Sequence, residues 1–395
     1  MLALFSGYGF LMGAAWSVFS TIPREATDFY GVGEVAVSMF ELSFMIAFVL
    51  TCVPASWLLA RSLQRTLQGT VLLMGLGAVL RFGAWNHYAL ALTGQCLIAL
   101  GNAVALSAGA VLAEFWFPQH QAVLATAIAS LAAGVGSSLQ LLISSLLRSI
   151  PLLLGIQVTL CLLETLLVGV LFKPDPTHRE SSVACSDLKQ YVQRGKAMGF
   201  LLLSGATVGT VFALIGLLYT VLEPAGYSSL QTGFIGFTLS FCGMLGGVSS
   251  TLFLANSRFS THVMQVYLLC GIIFSLALCV AILSFPAMLV ISAFYGFSAL
   301  GFLPMAIREA VEDAPTVHPS VPVMIIFLTS QIVGLAQSGL AIYFQRATDL
   351  SALYLFALFT MLTMGFFLAL HRMNFVSDRA AQPLKEDRVG LAKES

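Results

Sequence analysis

Residues 173–196 read KPDPTHRESSVACSDLKQYVQRGK. This is the longest polar insert in a chain otherwise made of apolar runs, and its position decides the fold. Serine, proline and charge crowd it, so it cannot lie in lipid; its last part, Asp187 to Lys196, has the composition of a short surface helix. On either side the sequence divides into stretches of about 20 mostly apolar residues, the length a helix needs to cross a bilayer core of ~30 Å. Six precede the insert, at roughly 2–21, 35–59, 66–85, 89–115, 122–147 and 151–172. Six follow it, at roughly 197–222, 232–254, 263–284, 286–307, 321–344 and 350–370. The divisions with the least polar sequence behind them fall at Ile150–Pro151 and at Ser284–Phe285–Pro286.

Composition agrees. Of 395 residues 58% are apolar and 9% charged, against about 25% charged in a soluble domain. Mean hydropathy is +0.93. No soluble fold of this size could hide so much apolar surface, so the solvent is mostly lipid. The formal net charge of zero supplies no basic field for nucleic acid. Cys96, Cys161, Cys270 and Cys279 sit inside apolar runs, Cys185 lies in the insert, and no CxxC or Cys/His cluster occurs. Neither a zinc site nor a disulfide framework is expected, and no cofactor or metal is implied. The six histidines fall in loops or at span ends. No catalytic dyad lies within the spans, so an enzyme is not expected. The apolar run from Leu2 to Thr21 has no basic leader and exceeds a signal-peptide core, so it reads as the first span.

Twelve spans split six and six imply an all-α membrane protein with the layout of the major facilitator fold, two six-helix halves around a central cavity. The expected divisions are an N-terminal half at 1–172, a cytoplasmic loop at 173–196, a C-terminal half at 197–370 and a cytoplasmic tail at 371–395. With both termini cytoplasmic, 14 of the 18 Lys and Arg residues fall on the cytoplasmic side, leaving only Arg24, Arg81, Arg148 and Arg346 outside. The positive-inside rule therefore selects that orientation. A multi-pass protein of the plasma membrane, acting as a monomer in the lipid bilayer, is expected.

Charged groups within spans are costly and often functional. Glu41 lies in the outer half of span two, Glu164 near the middle of span six, Glu114 near the inner end of span four and Glu223 near the outer end of span seven. Arg81 ends span three, where its guanidinium is expected to reach the headgroups. Glu114, Glu223 and Arg81 read as interfacial or structural, and Glu164 as the partner in a structural hydrogen bond. Glu41 is the candidate for contact with substrate or a coupling proton, because span two faces the path in this fold. Gly243–Gly247 and the small residues of Ala129–Ser138 read as close-packing helix faces.

Several patches resemble the feline leukaemia virus subgroup C receptor-related transporters, solute carrier family 49. Span one carries Trp16, followed by Phe29-Tyr30-Gly31 at family spacing. Span two ends Pro54-Ala55-Ser56-Trp57-Leu58-Leu59, like the family's PATWLLD. Span four opens with Gly94-Gln95-Cys96 and is followed by Trp116-Phe117-Pro118-Gln119-His120-Gln121, close to WFPxxQ. Gly301-Phe302, Ala310-Val311-Glu312 and, 19 residues after Glu312, Gln331 with Gly334 complete the set.

The resemblance implies carriage of choline or ethanolamine through an aromatic cage assisted by glutamine. Trp16 matches the cage tryptophan and Gln331 the span-eleven glutamine; the plainer alternative for both is helix packing. Phe212 falls on a family tyrosine, keeping the ring and losing the hydroxyl. Gly134 falls where choline carriers have a span-five glutamine, and Ala60 replaces an acidic gating residue. Arg61, Arg65 and Glu312 are the gating or structural charges. The expected substrate-binding set is Trp16, Phe212, Gln331 and Glu41. The expected function is alternating-access transport of a small organic solute, favouring a choline- or ethanolamine-type amine. Haem export and a transport-inactive receptor or scaffold of the same fold are the rivals.

Overall fold

The computed structural model describes residues 1–172, 195–254, 260–281, 284–312, 320–345 and 355–366. Every regular element among them is helical. Most of the insert, including nearly all of the expected surface helix, and the tail from 371 lie outside the described residues. The first half contains α1 (Leu2–Trp16), α2 (Pro23–Tyr30), α3 (Glu34–Arg61), α4 (Leu63–Gly83), α5 (Tyr88–Ala99), α6 (Asn102–Trp116), α7 (Gln119–Leu147) and α8 (Ile150–Leu171). The second contains α9 (Gly195–Gly216), α10 (Leu218–Leu222), a 3-10 turn (Glu223–Ala225), α11 (Ser229–Leu254), α12 (Ser260–Ala281), α13 (Phe285–Gly301), α14 (Leu303–Glu312), α15 (Ser320–Gln345) and α16 (Leu355–Phe366).

Ten described stretches are long and apolar enough to cross a membrane, and the shorter apolar helices α1 and α16 bring the number to the twelve expected. Both short-loop divisions stand. α8 begins at Ile150 and α13 at Phe285, each with proline in its first turn, where a missing N–H removes no helical hydrogen bond. Leu50, Leu166, Val170 and Val280 point outward and are largely uncovered, as lipid-facing residues must be.

Close approach between helices is set by glycine. A methyl group on Gly13 would collide with the Ala133 carbonyl, and one on Gly136 with the Phe10 carbonyl, so α1 and α7 pack backbone to backbone. The second half repeats the arrangement. Gly205 and Gly209 of α9 lie against the Ile326 and Ser330 carbonyls of α15. Each half thus packs its first span on its fifth through paired glycines, the small-residue contact that lets membrane helices touch without a hydrophobic driving force. Gly246 faces the Phe297 carbonyl and Gly296 the Leu239 carbonyl, joining α11 to α13. The glycine-rich and small-residue stretches are packing faces, as expected. Between halves, α7 runs along α11 and α3 along α15.

The spans are less continuous than their apolar runs suggest. α1 stops at Trp16, span four breaks between α5 and α6, span seven between α9 and α10, and span ten between α13 and α14. These are spans one, four, seven and ten, the same two positions in each half. At 15 residues, α1 reaches only about 22 Å. The freed groups beyond it are satisfied internally, as they must be away from water. Ser17 Oγ donates to the carbonyls of Gly13 (3.1 Å) and Ser137 (3.2 Å), and Thr21 Oγ1 donates to that of Leu141 (3.1 Å). Ser144 Oγ of α7 donates to the Val18 carbonyl at 2.8 Å.

Candidate functional site

α1 ends on Trp16 at the seam between the halves. Its indole meets the Phe212 ring of α9 edge-on, with centroids 5.8 Å apart and planes at 62°. Both rings pack against the core of the first half around Phe5, Tyr8 and Phe44 and against the core of the second around Val208, Leu214 and Tyr295. Gly216, the last residue of α9, is the third element. A methyl group there would lie 3.0 Å from Glu41 Oε2 and 3.9 Å from the Trp16 ring. The bare glycine therefore admits a carboxylate from α3 beside the indole. Glu41 is 4% exposed and also faces Ser20. The described ion pairs are Arg24–Glu223 and Arg148–Glu25, and neither involves Glu41.

Three of the four expected binding residues thus meet. The fourth, Gln331, is also buried but sits deeper. It lies on the face of α15 between Phe327, which packs in the first half's core, and Gly334, which approaches Met45 Sδ of α3. Met45 is one turn from Glu41, and the antiparallel run of α3 and α15 carries Ser56 to Met324 Sδ at 3.3 Å. Gln331 is therefore about 10 Å along the seam from Glu41. At Gly134 an added methyl would meet Met244 Sδ of α11 at 2.9 Å; a thioether fills the space that the expected glutamine would need. The Arg61 guanidinium lies 3.5 Å over the Trp57 ring, and the Arg65 N–H donates to Ser62 Oγ at 3.3 Å, capping α4. The side chains of Ala60, Glu114 and Glu312 lie outside the described residues.

Two expectations are corrected. Arg81 does not reach the headgroups: it is 1% exposed, and its guanidinium donates to Gln95 Oε1 of α5 and Gln157 Oε1 of α8. Two amide oxygens inside the half, at separate sequence positions, hold the charge more closely than snorkelling would. Glu164 reads as the partner in a structural hydrogen bond, yet among the described residues its Oε1 has no partner, and a methyl group on Gly7 of α1 would lie 2.8 Å from its Oε2. Sequence reading also passed over Gln157 and Gln337, and took Gln95 only as part of the Gly94-Gln95-Cys96 patch. Their signal was present, since an amide inside an apolar span is costly without a partner. Gln337 Nε2 donates to Thr210 Oγ1 at 3.0 Å.

At one end of the seam the halves are tied by charge. Arg24 of α2 pairs with Glu223 of the 3-10 turn and lies over the Tyr219 ring, 6.0 Å from its centroid. Arg148 reaches Glu25 at 3.9 Å. These residues, with Tyr227 and Ser229, line a cavity of about 430 Å³. Glu223, read as interfacial or structural, is one side of the pair with Arg24.

Known proteins resemble the chain in sequence and in fold. Residues 4–337 match the family model described as Major Facilitator Superfamily. The chain is 26% identical over 343 residues to solute carrier family 49 member A3 of Danio rerio, covering 80% of this chain and 72% of that protein. It is 23% identical over 367 residues to the choline/ethanolamine transporter FLVCR2 of Homo sapiens, covering 85% and 69%. Among solved structures, the fucose:proton symporter of E. coli superposes with a TM-score of 0.63 at 16% identity, over 94% of this chain and 98% of that one.

Proposed function

Because the chain belongs to the major facilitator superfamily, whose members are transporters, we infer that the Trp16–Phe212–Glu41 cluster is its substrate site and that the substrate is a small organic amine of the choline or ethanolamine type. The observation that carries this reading is the placement of Glu41. A buried carboxylate with no basic partner among the described residues favours a cationic ligand, since charge away from water is stable only when compensated. The indole of Trp16 lies beside the same Gly216 with the ring of Phe212 against it, and an aromatic face attracts a quaternary ammonium by ~0.5–2 kcal/mol. Gln331, deeper on the seam, offers an amide to the hydroxyl or ammonium of an amine passing along it.

The paired breaks in spans one, four, seven and ten support alternating access. Discontinuous helices at corresponding positions of the two halves mark the midplane site around which such halves rock. The Arg24–Glu223 pair joins the halves at one end and must part for that end to open. We assign that end to the outside, with both termini in the cytoplasm, from the distribution of basic residues, and the plasma membrane as the place of residence.

The test is uptake of labelled choline and ethanolamine into proteoliposomes carrying the purified protein. Saturable uptake of either, competed by the other, is expected. A protein that binds choline and moves nothing would be a scaffold; one that neither binds nor moves either amine would remove the amine reading.

A further inference from the structure

We propose that Arg81 and Gln95 form a buried positioning relay that sets the placement of Trp16 and Glu41, a role that rests on the substrate-site reading above. The connection is a chain of hydrogen bonds. Arg81 on α4 donates one arm of its guanidinium to Gln95 Oε1 and the other to Gln157 Oε1. Gln95, on α5 and wholly buried, then donates its Nε2 twice: to the Ala15 carbonyl at 3.0 Å and to the Phe40 carbonyl at 3.1 Å. Ala15 immediately precedes Trp16, and Phe40 immediately precedes Glu41. One amide thus ties the backbones of the two site residues together from behind.

The chemistry suits the task. α1 ends inside an apolar span, and beyond Gly13, whose carbonyl accepts from the Ser17 N–H, the last carbonyls of α1 have no helical partners. Gln95 supplies one donor to them, at the negative end of the helix dipole. Its amide is polarised by a guanidinium on its oxygen, which strengthens both N–H donors in a low-dielectric interior. Among the described residues no carboxylate pairs with Arg81, so its charge is spent on the two glutamine oxygens. The two arms differ. Gln95 Nε2 reaches the backbone beside the site residues, whereas Gln157 Nε2 has no partner among the described residues.

That asymmetry supplies the experiment. Gln95→Glu and Gln157→Glu place the same negative charge on the same guanidinium and keep the same volume. Only the first removes donors from Ala15 and Phe40. In a protein whose Trp57, Trp85 and Trp116 are replaced by Phe, leaving Trp16 as the only indole, Gln95→Glu should shift the Trp16 emission maximum and weaken choline binding about tenfold. Gln157→Glu, which keeps both donors, should move each measure by clearly less. If Gln95→Glu does not yield a monodisperse protein, Gln95→Met, which removes the donors without adding charge, is read by the same two measures. Equal effects from both glutamines, or an unmoved Trp16 emission in a folded Gln95 variant, would overturn the relay. Absence of choline binding in the parent protein would instead sink the substrate-site reading, and the emission shift alone would then decide the relay.

Discussion

Trp16 and Phe212 touch edge-on at 5.8 Å, though they lie in opposite halves of the chain. Each ends or lines a span that breaks nearby, and each packs against both hydrophobic cores. Under the alternating access proposed above, a ring pair in this position changes as the halves rock.

Trp16→Ala should weaken choline binding about tenfold, and Trp16→Phe about threefold or less, because the ring face is proposed to hold the cation. Isothermal titration or competition for uptake measures the difference. If alanine and phenylalanine bind choline as the parent does, Trp16 is a packing residue.

Glu41→Gln should separate binding from stability. The amide keeps the volume and removes the charge proposed to face the ligand, so choline affinity should fall about tenfold or more. The melting temperature of the ligand-free protein should hold or rise, since a buried carboxylate with no basic partner among the described residues has been replaced by an amide. A lower melting temperature with unchanged affinity would make Glu41 a structural residue.

Glu223→Arg should loosen the charged end of the seam. The Arg24–Glu223 pair is largely exposed on the arginine side, so global stability should change by less than about 1 kcal/mol. The cavity behind it should open more often. In a Ser229→Cys background, a membrane-impermeant thiol reagent applied from outside should react several-fold faster once Glu223 is reversed. An unchanged labelling rate would show that the pair does not hold that end shut.

Gly136→Val should destabilise the protein by about 1–3 kcal/mol, the usual cost of overpacking, because no space exists between Gly136 and the Phe10 carbonyl. Gly209→Val should do the same at the matching contact in the second half. Gly83→Ala is the control, since nothing lies within 4 Å of its added methyl. Thermal unfolding in detergent reads all three, and a neutral Gly136→Val would mean that α1 and α7 can separate at no cost.

The number of spans, their order and the position of the polar insert were legible in the sequence. A bilayer demands about 20 apolar residues per crossing wherever the chain later packs. Even the divisions at Pro151 and Pro286 were readable, because proline in a first turn acts locally. The small residues of Ala129–Ser138 announced a close contact without naming its partner. Trp16, Phe212 and Glu41 were picked out one at a time, from type, span position and resemblance.

Only the tertiary structure decided which of them meet. Glu41 and the indole both come up to Gly216, 175 positions after Glu41 in the numbering, because its missing side chain leaves room. Gln331 carries as much sequence signal but faces another turn of the seam. Arg81 read as interfacial or structural, and two glutamines from different helices decide for the second by holding it inside. The breaks in the spans were likewise hidden, since Ser144 on α7 and not the residues of α1 satisfies the Val18 carbonyl. Hydropathy depends on each residue's transfer into lipid, so the linear sequence contains it. Compensation of a buried charge or a freed carbonyl depends on what stands 3 Å away, and that is settled only when the helices pack.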